Sequence, residues 1–257
     1  SVVVESVRKD GYAILNADDP LVADMRKNIE CNIALFSMDE ENALVKKHMK
    51  QGGLSAIYEN GYITVCKGSW KIRIQKAVNI PLTFGGRAYF MIQNILPAVL
   101  TAFIQNFELQ DIRLALETFI PSPTQTPGRM NLFNFKDFDI LVDYAHNAAG
   151  LKAIKEYLDN VDATEKVGII AGIGDRRDED NVAIGATAAE MFDKIIIRQD
   201  KNLRGKSEKE LIDLMITGIH SVDEHKPIEV ITKESEAILH AVKTAKKGSM
   251  ITCCSDV

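Results

Sequence analysis

Three short stretches carry side chains suited to chemistry on an anionic, nucleotide-like ligand. Asp143-Tyr-Ala-His146-Asn147 places a carboxylate, an imidazole and an amide within five residues, directly after the apolar run Ile140-Leu-Val142. A carboxylate there can accept hydrogen bonds from a ribose diol, and His146 or Asn147 can donate to a phosphate oxygen. The same five residues would serve equally well as a helix-capping loop with a satisfied histidine. The second stretch, Gly172-Ile-Gly174-Asp-Arg-Arg-Asp-Glu-Asp180, sets Arg176 and Arg177 among Asp175, Asp178, Glu179 and Asp180. Such interleaving is either a solvated ion-pair cluster or an arginine fork on an anionic substrate group, with the carboxylates orienting it or binding a cation. In the third, Asp200, Lys201 and Arg204 pose the same alternative, with solvated loop charges favoured. Arg129, after Pro127-Gly128, is an ordinary linker charge or a cation able to reach a phosphate at a domain interface, a favoured ligand position. His48, His220, His225 and His240 read as surface or helix residues, which leaves His146 as the histidine with a chemical context.

The elements that must position these groups follow from punctuation and periodicity. Pro121-Ser-Pro123-Thr-Gln-Thr-Pro127-Gly128 cannot be helix or inner strand, because each proline lacks a donor and restricts its predecessor. We therefore divide the chain into 1–127 and 128–257. After the linker, strands at 140–142, 167–171, 194–197, 228–231 and 250–253 alternate with helices at about 149–158, 180–192, from Ser207 onward, and 235–246. Strict alternation with helices of this length means βαβ units and a doubly wound, mostly parallel α/β sheet. In such a sheet the ligand crevice lies beyond the carboxyl ends of the strands, where the three charged stretches fall. Before the linker we expect short strands at 12–15 and 33–36 and a helix over 21–28. Antiparallel strands at 56–58, 62–66 and 70–74 follow, turned by Asn60-Gly61 and Lys67-Gly-Ser69. A long apolar helix over 91–107, kinked by or starting near Pro97, precedes a helix over 111–119 capped by Asp111.

Composition narrows the function classes. The 257 residues are 46% apolar and 26% charged with a net charge of −5, so the chain can bury a core and is a poor nucleic-acid sheath. No apolar run approaches the roughly 20 residues of a membrane helix, and no basic-then-apolar leader opens the chain, so a cytoplasmic location without membrane or nucleic-acid partners is expected. Cys31, Cys66, Cys253 and Cys254 have no zinc-ligand spacing and read as reduced thiols. The first residue is Ser1 rather than Met, which suggests a processed or excised piece of something longer.

Asn16-Ala-Asp-Asp-Pro20, Gly86 with Asn94-Ile-Leu-Pro-Ala98, Pro127-Gly-Arg-Met130 and Asp143-Tyr-Ala-His-Asn147 stand in an order and spacing that together resemble the Mur ligase superfamily over nearly the whole chain. Gly174-Asp-Arg-Arg-Asp-Glu-Asp180, with Phe192-Asp-Lys-Ile-Ile-Ile197 behind it, resembles the branch that attaches arginine to the β-carboxylate of a poly-aspartate chain. The resemblance implies an ATP- and Mg-dependent ligase. It passes the γ-phosphate to a carboxylate, and an amine then displaces the phosphate to give an amide. It implies a Rossmann-like closing domain at 128–257, preceded at 1–127 by the incomplete end of the central ATP-binding domain. Position by position, it sets Asn94 against the adenine, Arg129 near the nucleotide phosphates and Asp143 on the ribose. His146 and Asn147 close over the phosphates, with Arg129 and His146 as the catalytic pair, and Asp175, Arg176, Arg177 and Asp178 lie near the incoming amino acid. Asn16, Asp18 and Asp19 fit a structural turn.

The partners implied are an amino acid, a peptide or polymer acceptor, and further copies of the chain through exposed sheet edges. Another Mur-type ligase acting on a muropeptide or folate-like acceptor, or a non-catalytic nucleotide- or peptide-binding module, are the alternatives. A dinucleotide oxidoreductase is disfavoured because no G-x-G-x-x-G opens a helix after a first strand. One departure stands out: no G-x-x-x-x-G-K-[ST] phosphate loop occurs, and with it the magnesium ligands are expected before Ser1. No metal ligand is assigned within the chain. Phosphoryl transfer depends on that charge neutralisation. The 257-residue chain is therefore expected not to turn over ATP by itself, and ATP-dependent ligation by the purified chain would overturn this reading.

Overall fold

The computed structural model describes residues 2–200 and 202–254 and divides the chain into two compact units, 1–120 and 121–257. In the first unit, helix α1 (Val2–Glu5) precedes β1 (Tyr12–Asn16), α2 (Pro20–Asp24), β2 (Asn32–Ser37) and α3 (Ala43–Lys50). Strands β3 (Leu54–Glu59), β4 (Tyr62–Lys67) and β5 (Trp70–Lys76) follow, then helices α4 (Tyr89–Ile104) and α5 (Leu109–Thr118). The five strands lie in chain order, β1 to β3 parallel and β4 and β5 antiparallel. Asn60 and Gly61 both have positive φ (50° and 80°), as a two-residue hairpin turn between β3 and β4 requires. On one face Ile92, Ile95, Leu96, Val99 and Leu100 of α4 pack on Ala34, Ala56, Ile63 and Val65. On the other, Val45 of α3 joins Ala13, Leu15, Leu35 and Ile57.

Local chemistry sets the ends of these elements. Asp19 caps α2 by accepting from the Leu21 and Val22 amides, with Pro20 opening the helix, and the chain tightens into a 3₁₀ turn over Met25–Asn28. Asp18 accepts from the Met38 amide at 2.7 Å, from Asn42 Nδ2 at 3.0 Å and from the Ser37 hydroxyl, so the 16–20 turn is a structural tie between two strand ends. Asp111 does not cap α5. That helix starts at Leu109 behind Glu108, whose side chain makes no capping bond, and Asp111 sits in the first turn, where a carboxylate suits the helix dipole. Pro97 lies inside α4. The short helices α1 and α3 were not anticipated; of α3 only Val45 is buried, so its apolar periodicity is weak.

The second unit contains β6 (Asn131–Asn134), β7 (Phe138–Asp143), α6 (Ala148–Leu158), β8 (Lys166–Ala171), α7 (Asp178–Met191), β9 (Lys194–Arg198), α8 (Glu208–Val222), β10 (Ile228–Val230), α9 (Glu234–Thr244) and β11 (Ser249–Cys254). The sheet order is β10-β9-β8-β11-β7-β6; all neighbours are parallel except β6, which runs antiparallel on the edge. This is the doubly wound architecture that the alternation of strands and helices requires, with β6 as an addition. Every residue of β11 is buried, as expected of a central strand covered on both faces. Burial pushes the Cys253 thiol up to about 12 and the Cys254 thiol higher still, which leaves both unreactive. All four cysteines are free. Among the described residues no helix is long and apolar enough to cross a membrane.

Helices α7 and α8 touch backbone to backbone. A Cβ on Gly185 would stand 2.2 Å from the Met215 carbonyl oxygen, and one on Gly218 would stand 2.0 Å from that of Val182. Gly185→Ala is expected to destabilise the protein by about 1–3 kcal/mol through overpacking. Denaturant melts of the variant and wild type measure this, with Ala186→Gly, one residue along the same helix, as the control for helix propensity alone.

Candidate functional site

Strands β7, β8, β9 and β10 run in one direction, so the loops after them emerge along one edge of the sheet. After β7, the Asp143 carboxylate is buried and accepts two backbone amides, Met130 N at 2.9 Å and Ala145 N at 2.8 Å. Burial pushes this carboxyl up, an effect opposed by those two amides and by the Arg129 charge. The Tyr144 amide donates to the Gly128 carbonyl at 2.7 Å. Gly128 and Met130 both have positive φ, 65° and 50°. Asn131 holds this turn: its Oδ1 accepts from the Gly128 amide, and its Nδ2 donates to the Thr126 and Arg129 carbonyls. Arg129 is thereby lifted onto the Tyr144 ring, its guanidinium carbon 4.7 Å from the ring centroid. The Tyr144 ring also meets the His146 ring edge-on at 4.9 Å. The three side chains form one stack.

His146 Nδ1 lies 3.0 Å from the Tyr144 carbonyl oxygen. A carbonyl can only accept, so Nδ1 carries the proton, and Nε2 donates to an anion only when the imidazole is protonated. Asn147 is the N-cap of α6, its Oδ1 accepting the Gly150 amide at 2.7 Å. The capping and functional readings of this pentapeptide thus coexist in different residues. Asn94 lies on the exposed side of α4 in the first unit.

The second charged stretch is more tightly paired than its sequence suggests. Helix α7 starts at Asp178, with Arg177 at the N-cap, so Asp178 and Asp180 belong to the first helical turn. Arg177 forks onto Asp180 at 2.8 and 3.0 Å and holds that carboxyl below the usual range. Asp175 meets Arg204 at 3.2 Å, and Asp178 is bound by Lys206. Arg176 makes no ion pair among the described residues. Gly174 brings the loops after β8 and β9 together, since a Cβ there would lie 1.7 Å from the Leu203 carbonyl oxygen. Lys201 lies outside the described residues.

A cleft of about 750 Å³ opens at the ends of β9 and β10, lined by Arg198, Gln199, Asp200, Glu208, Thr232 and Glu234 among others. A narrow cavity next to it is lined by His146, Arg198, Asp200 and Cys254, so Arg198 and Asp200 border both spaces. From the sequence the strand ends at Ile197 and the polar loop begins at Gln199, and neither Arg198 nor Glu208 nor Glu234 stands out as a site residue. A charged residue closing the apolar run Lys194-Ile-Ile-Ile-Arg198 was the available sign. Among the described residues no group of three or more His, Cys, Asp or Glu side chains is arranged to hold a metal ion.

The fold and the charged sheet edge define a doubly wound α/β protein with charged side chains gathered at its strand ends. The profile of the Mur ligase, glutamate ligase domain family matches residues 128–257, and the chain belongs to that family. It is 46% identical over 250 residues to cyanophycin synthetase of Crocosphaera subtropica, covering 97% of this chain and 29% of that protein. With cyanophycin synthetase of a Nostoc species it shares 47% identity over 251 residues, 98% of this chain and 28% of that protein. The chain thus spans under a third of these relatives. Among solved structures, folylpolyglutamate synthase of Mycobacterium tuberculosis, complexed with ADP and AMPPCP, superposes with a TM-score of 0.66 at 15% identity, covering 99% of this chain and 55% of that one, a likeness of fold.

The raised Asp143 carboxyl gives a pH prediction. A folded-state pKa above the unfolded value of about 3.8 contributes stability that is present below that value and lost as pH rises through the folded one. Asp143→Asn removes this dependence. Thermal melts of both proteins between about pH 3.5 and pH 6 are expected to show the variant gaining on wild type as pH rises. A constant difference would mean that Asp143 is not the group responsible.

Proposed function

We propose that the chain is part of an ATP-dependent ligase that joins a cationic amino acid, through a new amide bond, to a side-chain carboxylate of an acidic peptide or polymer. In this reading residues 128–257 are the closing domain of the ligase and residues 1–127 contribute to its ATP-binding domain, acting in the cytoplasm as a homo-oligomer. The observation that carries the proposal is the adjacency, within the second unit, of a cationic stack suited to phosphate and a cleft rich in carboxylates, with Arg198 and Asp200 bordering both. The 46–47% identity to cyanophycin synthetases over almost the whole chain supports the same substrate class.

The donor set suits ATP. An exposed guanidinium and an imidazole, both fixed by Tyr144, match the oxygens of a polyphosphate, and Asp143 keeps spare lone pairs for a ribose hydroxyl. Bound ATP supplies the phosphoryl group that activates the acceptor carboxylate. Arg129 and His146 bind the phosphates, Arg129 offsets negative charge there, Asn147 contributes its amide N–H, and Asn94 faces the adenine. Arg176, which makes no ion pair among the described residues, is the cation of the Asp175–Asp178 stretch best placed in chemistry to take the amino acid's α-carboxylate. Arg177 orders the start of α7 by its fork on Asp180, and Asp175 and Asp178 orient Arg204 and Lys206. The cleft carboxylates Asp200, Glu208 and Glu234 suit the cationic end.

ATP-dependent incorporation of amino acids into an acidic peptide primer by the full-length ligase tests this reading. A preference for arginine or lysine is expected; use of glutamate or diaminopimelate instead would contradict it. In the same assay Arg129→Ala is expected to raise KM for ATP about tenfold or more, the order of one lost charge-assisted hydrogen bond. Arg176→Ala is expected to raise KM for the amino acid and leave that for ATP within about twofold; an effect on ATP alone would reassign the loop.

A further inference from the structure

The first unit carries cations on its edge strand that its own carboxylates leave unpaired. Lys71, Arg73 and Lys76 of β5 stand opposite Cys66, Thr64 and Tyr62 of β4, so all three lie on one face of the sheet. Lys71 is bound by Glu59. Arg73 and Lys76 make no ion pair among the described residues. Both lie instead over the Tyr62 ring, the Arg73 guanidinium carbon 4.7 Å and Lys76 Nζ 5.5 Å from its centroid. The neighbouring carboxylates are engaged elsewhere: Glu117 of α5 accepts from Gln75, and Glu40 lies 3.5 Å from Asn60 Nδ2. Arg113 of α5 adds a further cation, giving its Nε and Nη2 to the Ile74 and Arg73 carbonyls at 3.0 Å each.

Cations on an edge strand discourage pairing with another chain. That role needs no aromatic support, and Arg113 already occupies β5 carbonyls. Holding two like charges on one ring, with neither in an ion pair, costs Coulomb energy that an anion spanning both relieves. An extended polypeptide presents alternate side chains on one side about 7 Å apart, so neighbouring carboxylates of an acidic chain reach both cations together. Nucleic acid suits the surface less well, because the ring on which a base would stack is taken by the two cations and the whole chain carries a net charge of −5.

We propose that the Tyr62–Arg73–Lys76 face of the first unit is a docking surface for the carboxylate-rich acceptor chain. This rests on the acceptor being an acidic peptide or polymer, as in the function proposed above. Arg73 and Lys76 meet the acceptor's carboxylates, and Tyr62 sets the two cations side by side. The surface keeps the acceptor attached while one of its carboxylates reacts.

Fluorescence anisotropy of labelled poly-L-aspartate, titrated with the purified chain at low salt, tests this on wild type, Tyr62→Leu and the double variant Arg73→Gln with Lys76→Gln. Lys243→Gln with Lys247→Gln, a pair of exposed cations of the second unit, controls for net charge. Wild type is expected to bind. The Arg73 and Lys76 double variant should lose about tenfold in affinity, the upper range for two exposed ion pairs, and the control less than about twofold. Tyr62→Leu changes no charge and should lose about threefold by releasing both cations. These losses should shrink at high salt. A folded wild-type chain that does not bind poly-L-aspartate, a double variant that binds like wild type, or a control that loses as much overturns the docking surface. Tyr62→Leu binding at wild-type strength overturns the part given to the ring. An oligodeoxynucleotide of equal charge that binds as tightly as poly-L-aspartate assigns the surface to nucleic acid and overturns the proposal. Where the chain alone fails to melt cooperatively, the same variants of the full-length ligase decide, with KM for a polyaspartate primer expected to rise about tenfold and KM for ATP to stay within about twofold. The ligase reading fails separately, if the wild-type full-length ligase adds amino acids to no acidic primer.

Discussion

The buried carboxylate of Asp143 is the contact on which the proposed nucleotide end of the site depends. It accepts the amide of Met130 before β6 and the amide of Ala145 after β7, so one side chain at a strand terminus fixes two separate loops. Arg129 and Tyr144 lie on those loops, and their stacking follows from where the carboxylate holds the two backbones. A carboxylate is needed because both of its oxygens accept; an amide would turn one donor toward a backbone N–H. The burial that raises its pKa is the cost of this arrangement, and the two amides with the Arg129 charge offset part of it.

Arg198 plays the corresponding part at the cleft. It joins β9 to β11 across the end of β8, bonds Asp200, and lies 3.2 Å from a Glu234 carboxylate oxygen. Gly174 and the α7–α8 glycines serve the same edge by removing side-chain bulk. Gly174 lets the loops after β8 and β9 meet backbone to backbone, and Gly185 and Gly218 let the helices that follow those loops approach closely. At this edge the loops after β8 and β9 and the helices that follow them are therefore in close backbone contact.

Much of this was legible in the sequence. The alternation of Val167–Ala171, Lys194–Ile197 and Met250–Cys253 with helices required a parallel sheet, and that placed Asp143, Arg176 and Asp200 on one edge. The Asn60-Gly61 turn required its hairpin. What was not legible depended on contacts distant in sequence. Asn131 looks like any strand-initiating polar residue until its bonds to residues 126, 128 and 129 are seen. Arg198 ends an apolar run like many surface cations, and its burial follows only from the strand order that brings Cys254 within reach. Arg176 and Arg177 are adjacent and chemically identical, yet the helix start at Asp178 puts Arg177 one turn from Asp180 and leaves Arg176 without an ion pair among the described residues. Glu234 and Glu208 open helices, where acidic residues need no further explanation, and so drew no attention.

The account is tested most directly by a crystal structure of the full-length ligase with a non-hydrolysable ATP analogue and L-arginine. It predicts the phosphates against Arg129 and His146 and the arginine guanidinium between Asp200 and Glu234. Phosphates elsewhere than the Arg129–Tyr144–His146 stack, or an amino acid bound outside the cleft at the ends of β9 and β10, would contradict it.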